Sequence, residues 1–210
     1  MRQIQTAAAF LAMLLTAGCS VFGGRAAPEP DYRVIVSEPP FEIRAYDALA
    51  VARTTAGGSR DAAVREGFGR LFDYISGANA GEEEIAMTAP VVTEPEAEGA
   101  EISMTAPVLT EEKGEGWTTM FVLPADYTAA TAPRPTNPEV EIAEIPARRV
   151  AVVTFSGFFT GTNIKEARER LSAWLDGRPE EAAGAWQGAG YNPPWTLPWF
   201  RRNEVMVPVQ

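Results

Sequence analysis

Any chemistry in this chain has to be done without histidine, and its single cysteine is Cys19. A Ser-His-Asp or Cys-His catalytic unit cannot be assembled, and no intramolecular disulfide can form. Histidine-based zinc sites, cysteine clusters and histidine-ligated haem are excluded with them. Two heptads stand out instead: Ile85 to Val91 reads IAMTAPV and Ile102 to Val108 reads ISMTAPV, with Glu94, Glu96, Glu98 and Glu101 between them. Pro90 and Pro107 cannot donate to a sheet ladder, so the pair reads as a hairpin with a solvated acidic loop. Met87 and Met104 read either as core filler or as ligand contacts. A second cluster runs from Tyr191 to Val209, YNPPWTLPWFRRNEVMVPV. Pro193, Pro194 and Pro198 forbid regular structure there, while Trp195, Trp199 and Phe200 are costly to leave in water. The loop must plug one end of the core or wall a groove, with Arg201 and Arg202 beside it. For hydrolytic chemistry, Glu42, Glu141 or Glu204 could activate water if burial raised its pKa.

Those residues need a frame, and the composition supports one. The chain has 210 residues, 46% hydrophobic and 22% charged, enough for one domain with a real core. Its net charge of −10 repels phosphate backbones, and no basic stripe offsets it, so nucleic acid is not an expected partner.

Residues 1–19 read MRQIQTAAAFLAMLLTAGC: one Arg, an apolar run too short to span a bilayer comfortably, then small residues before Cys19. This resembles a bacterial lipoprotein signal covering residues 1–18, with Cys19 lipidated and Ser20 similar to those of lipoproteins sorted to the outer membrane. An ordinary secretory signal with an incidental cysteine is the alternative. Residues 19–31 read as the lipidated end and a flexible tether, and 32–210 as the domain, held at the membrane and facing the periplasm.

The domain repeats itself. Phe41 to Gly58 (FEIRAYDALAVARTTAGG) and Val140 to Gly157 (VEIAEIPARRVAVVTFSG) agree at Glu42/Glu141, Ile43/Ile142, Ala48/Ala147, Val51/Val150, Ala52/Ala151, Thr55/Thr154 and Gly58/Gly157. Each copy reads as two short strands followed by a helix. Val64, Phe68, Leu71, Phe72 and Ile75 form the first apolar stripe, capped by Ser59 or Asp61 and ended by Gly77. Ala167, Leu171, Trp174 and Leu175 form the second, with Asn163 and Glu166 as a capping box and Gly177 as its end. Further strands are expected at 85–93, 102–110, 117–123, 185–192 and 203–209. The fold class is α+β: duplicated ββαββ-like halves, a curved, mostly antiparallel sheet and two helices related by a pseudo-twofold axis, with a groove between the halves.

The two IxMTAPV heptads, Gly116-Trp117 with Phe121 to Pro124, and the YNPPW…RRNEVMVPV ending closely resemble the SOUL haem-binding protein family, over about residues 32–210. The resemblance implies a distorted antiparallel barrel flanked by two helices, similar to the effector-binding domains of some bacterial regulators. It implies binding of haem or another tetrapyrrole in a shallow apolar groove beside the first helix; an enzyme is not expected, though related folds of the same two-half architecture include hydrolases that use a groove carboxylate. With no histidine, only a non-histidine mode carries over, and any iron ligand would be Met or Tyr; no other metal is expected. Burial of the macrocycle would drive binding, and arginines would meet its carboxylates. Arg65 and Arg70 on the first helix, with Arg201 or Arg202, are the candidates for that role, and Phe68, Phe72, Trp195 and Phe200 for the walls. A binder of another hydrophobic ligand or of a protein partner is the alternative.

Overall fold

The computed structural model describes residues 27–80 and 99–210. The leader, Cys19 and the heptad at 85–91 with Met87 lie outside the described residues. The chain order is β1 (Tyr32–Glu38), β2 (Phe41–Tyr46), β3 (Leu49–Gly57), α1 (Arg60–Ile75), β4 (Asn79–Ala80), β5 (Val108–Lys113), β6 (Gly116–Val122), β7 (Arg134–Pro135), β8 (Glu141–Ile145), β9 (Arg148–Phe155), α2 (Gly161–Leu175), β10 (Gln187–Gly190) and β11 (Asn203–Val209), with a 3₁₀ turn at Pro198–Phe200. Nine strands form one curled antiparallel sheet in the order β1-β2-β9-β11-β10-β5-β6-β3-β8, while β4 and β7 pair separately. This is the α+β class expected from the repeats.

That order contains the duplication. Leaving out β1, it reads outward from the β5–β10 pair as β6-β3-β8 on one side and β11-β9-β2 on the other. The two hairpins interlock, β2 pairing with β9 and β8 with β3. Gly58 (φ 91°) and Gly157 (φ 103°) both turn the chain through left-handed backbone just before a helix. Equivalent registers make Thr118 the counterpart of Glu204, since Thr118 faces Thr55 and Glu204 faces Thr154.

Alternation along the strands sorts the core into three layers. Leu71, Tyr74 and Ile75 of α1 bury against Ala50, Ala52 and Phe121 on the outer face of one half. Ala167, Leu171 and Leu175 of α2 bury against Ile43, Ala151, Val153, Val205 and Val207 in the other. The opposite face holds Val51, Leu109, Met120, Val122, Val150, Val152 and Met206. Each fully buried Leu or Val contributes about 1.5–3 kcal/mol.

Several local expectations are corrected. Between 102 and 110 only Val108 onward is strand, and β10 is shorter than the expected 185–192; Pro107 denies the ladder a donor. Thr160, not Asn163, caps α2, its hydroxyl accepting from Asn163 N at 3.4 Å. Gly177 does not take the left-handed conformation that Gly77 adopts (φ 109°), and α2 ends on an αR Asp176. Residues Ala27–Asp31, which read as the end of a tether, pack on the sheet: Ala106 N donates to Pro28 O at 2.8 Å, and Arg202 grips Glu29 at 2.8 and 3.2 Å. The sequence shows no periodicity there because an ion pair, a backbone bond and the apolar contact of Ala27 hold the segment, not an apolar stripe.

Candidate functional site

Gly67 decides which face of α1 is left open. A Cβ there would stand 2.7 Å from Thr119 Oγ1 and 2.9 Å from its Cβ, so only glycine lets the helix lie this close to β6. The buried face is accordingly Ala63, Gly67, Leu71, Tyr74 and Ile75. Phe68 and Phe72, which the sequence places in the core stripe, are turned to its flank and stay 37% and 47% exposed. Their rings stack at 6.2 Å and 11°, and Phe68 stands edge-on to Phe121 at 5.2 Å. Arg65 lies one turn before Phe68 and two before Phe72 on the same helical face. It is exposed and makes no ion pair among the described residues. Arg70 is committed elsewhere, to Glu66 at 2.5 Å, Glu139 at 3.0 Å and Thr55 O at 3.2 Å.

The aromatic loop does not plug the core. Tyr191 and Thr196 are its buried members, while Trp195 and Trp199 are 64% and 65% exposed and Phe200 43%. Arg201 staples the loop from within: Nε donates to Thr196 O at 2.8 Å, Nη2 to Pro194 O at 2.5 Å, and its guanidinium lies 5.4 Å from the Phe158 ring. Gly157 N donates to Pro198 O at 2.8 Å, fixing the other end. Trp199 and Phe200 thereby wall an open cavity of about 700 Å³ with Pro40, Phe155, Arg170 and Arg201. Phe68 and Phe72 are not among its walls. The structure thus brings Arg65, Phe68 and Phe72 together on one surface, and Phe200 and Arg201 together on another.

Beside that cavity lies a feature sequence reasoning missed. Glu204 is fully buried on β11, and Arg44 on β2 holds both its oxygens, at 2.9 and 3.1 Å. The Tyr191 hydroxyl donates to the same carboxylate at 2.6 Å, and Arg202 Nε stands 3.2 Å from it as an ion pair without hydrogen-bond alignment. Arg44 also donates to Glu42 at 2.7 Å and packs under the Tyr32 ring at 4.3 Å. Burial and the neighbouring Glu204 charge push the Tyr191 phenol well above its ordinary value, and burial takes Tyr46 up to about 12.

These pairings bear on the three glutamates considered as bases. Glu204 is fully buried with its oxygens taken by Arg44 and Tyr191, and Glu42 is tied to Arg44. Glu141 is exposed and held bidentately by Arg53, whose donated hydrogen bonds lower its pKa, the opposite of what a general base near neutrality needs.

Comparison with known proteins fits this architecture. Heme-binding protein 2 of Homo sapiens is 30% identical over 170 residues, covering 80% of this chain and 77% of that one. Among solved structures, the EcmrR C-terminal domain superposes with a TM-score of 0.58 at 12% identity, over 85% of this chain and 98% of that one. A hydrolase from Listeria innocua gives 0.51 at 11% identity, over 88% and 94%. At those identities the likeness is one of fold alone. Residues 27–208 match the profile described as SOUL heme-binding protein, and the chain belongs to that family.

Proposed function

We propose that this protein is a membrane-tethered binding protein for haem or another tetrapyrrole, anchored through a lipid on Cys19 and facing the periplasm. The observation that carries the reading is the stacked, half-exposed pair Phe68–Phe72 on the flank of α1, with Arg65, which makes no ion pair among the described residues, on the same face. A flat macrocycle buries one face against such rings, and a guanidinium supplies a bidentate seat for a carboxylate. Family membership supplies the ligand class.

The residues present fit a tetrapyrrole through its ring and carboxylates and not through a histidine on iron, since the chain has none. Metal-free protoporphyrin is therefore expected to bind within about threefold of hemin, because apolar burial dominates. Titrating both into residues 20–210, followed by absorption and tryptophan quenching, tests this. A hemin affinity tens of times that of the metal-free ring would overturn the ring-driven mode and point to Met or Tyr on the iron.

The cavity at Trp199 and Phe200 favours a second reading. Largely exposed Trp199 and partly exposed Phe200 beside Arg170 and Arg201 also suit another hydrophobic anion or a protein partner.

A further inference from the structure

A cleft of about 360 Å³ takes walls from both helices and from the β5–β10 pair at the pseudo-twofold axis, Arg60, Trp117, Arg168, Trp186, Gln187 and Gly188 among them. It shares none of these residues with the α1 flank or the aromatic cavity. Arg60 opens α1, and its side chain is only 11% exposed. Nη1 is satisfied by Phe159 O at 3.3 Å and Asp61 Oδ1 at 3.2 Å. Nε and Nη2 are buried and meet no acceptor among the described residues. The guanidinium is held in place by the rings of Phe159 and Trp117, with centroids at 4.9 and 5.7 Å. Burial lowers its pKa, as for a cation short of counter-charge.

The two unsatisfied nitrogens form one edge of the guanidinium fork. Arg53 uses that same edge, Nε and Nη2, to hold the Glu141 carboxylate at 3.0 and 2.9 Å. Arg168 adds a second cation over Trp186 at 4.9 Å, with no ion pair among the described residues. Glu112 lines the cleft but stands beyond ion-pair distance of both arginines, and Gln187 is bound to Arg148 and Glu111. Buried donors without acceptors carry a desolvation cost that a bound acceptor removes.

We propose that this cleft is a binding site for a small planar aromatic carboxylate. Its two oxygens take Nε and Nη2 of Arg60, its ring lies against Trp117 and Trp186, and Arg168 supplies long-range attraction. This site stands apart from the tetrapyrrole reading and does not depend on it.

The test is titration of benzoate into the full chain in lipid nanodiscs, read by the Arg60 Nε–H resonance in the wild type and by the indole N–H resonances of Trp117 and Trp186 in every variant, with empty nanodiscs as the blank. Benzamide and benzylammonium are the neutral and cationic controls. Saturable benzoate binding in the millimolar range is expected. It should weaken on the order of tenfold in Arg60→Gln and a few-fold in exposed Arg168→Gln. Arg60→Lys keeps the charge without the fork and should also lose most of the affinity. Benzamide binding as well as benzoate, or an affinity for benzoate unchanged by Arg60→Lys, would overturn the proposal. If Arg60→Gln does not fold, Arg60→Lys and Arg168→Gln still decide it.

Discussion

Arg44 and Glu204 stand 160 residues apart in sequence and meet as a buried bidentate ion pair at 2.9 and 3.1 Å. In the other half of the duplicated fold their counterparts are Ala143 and Thr118, and Thr118 simply hydrogen-bonds Thr55 at 2.9 Å. The frame therefore does not need the ion pair, but each partner needs the other. Glu204→Gln should destabilise the protein by about 3–5 kcal/mol, because buried Arg44 loses its bidentate partner and is left with Glu42 as counter-charge. Arg44→Ala combined with Glu204→Thr, which copies the other half, should cost less than the sum of the single changes. Urea melts of the four proteins measure this, and strict additivity would contradict it.

Gly67 and Gly69 make opposite predictions on one helix. Gly67→Ala drives a methyl into Thr119 and should cost about 1–3 kcal/mol despite alanine's better helix propensity. Gly69 has open space around its Cβ position, so Gly69→Ala should stabilise by about 0.5–1 kcal/mol. Thermal melts of the pair separate packing from propensity.

Most of the frame is legible in the sequence, and the reasons are physical. The paired Gly58 and Gly157 mark the left-handed turn before each helix, and β-rich alternation marks β2 and β9. What is not legible depends on contacts between distant segments. Helical periodicity puts Phe68 and Phe72 in the core stripe, and only the close approach at Gly67 shows them turned outward. A glutamate on a strand looks the same whether it faces water or a buried arginine, so Glu204 reads as a candidate base until Arg44 is seen beside it. The RR pair at 201–202 hides two different roles, Arg201 stapling its own loop and Arg202 joining Glu29 to Glu204. One signal was available: the β2 positions Glu42, Arg44 and Tyr46 are polar on the face where the equivalent β8 positions carry Glu141, Ala143 and Ile145.

Alkali should unfold the protein through its buried phenols. Burial raises Tyr46 and Tyr74 to about 12, and burial together with the Glu204 charge raises Tyr191 well above its ordinary value. A raised folded-state pKa favours the protonated phenol, so its contribution is intact below the ordinary value of 10 and is lost as pH rises through the folded value. Stability should hold up to about pH 10 and fall between 10 and 12. Tyr74→Phe should make that fall shallower, at the cost of the bond to Pro133 O. An unchanged alkaline limb would contradict the assignment.

Glu29→Gln should loosen the segment that precedes β1. The partly buried pair with Arg202 is worth about 1–3 kcal/mol, and Arg202 keeps Glu204 as its remaining carboxylate. The Ala106 amide, bonded to Pro28 O, should then exchange with solvent faster, while amides in β9 and β11 are unaffected.

The tetrapyrrole reading stands or falls on the flank of α1. Hemin should be titrated into residues 20–210 of the wild type, Phe72→Ala and Arg65→Gln, with urea melts alongside. Saturable one-to-one binding is expected, weakened on the order of tenfold in each variant with stability changed by no more than about 0.5 kcal/mol, because both residues lie at the surface. Non-saturating spectra, or saturable binding equally strong in both variants, would contradict this assignment of the site.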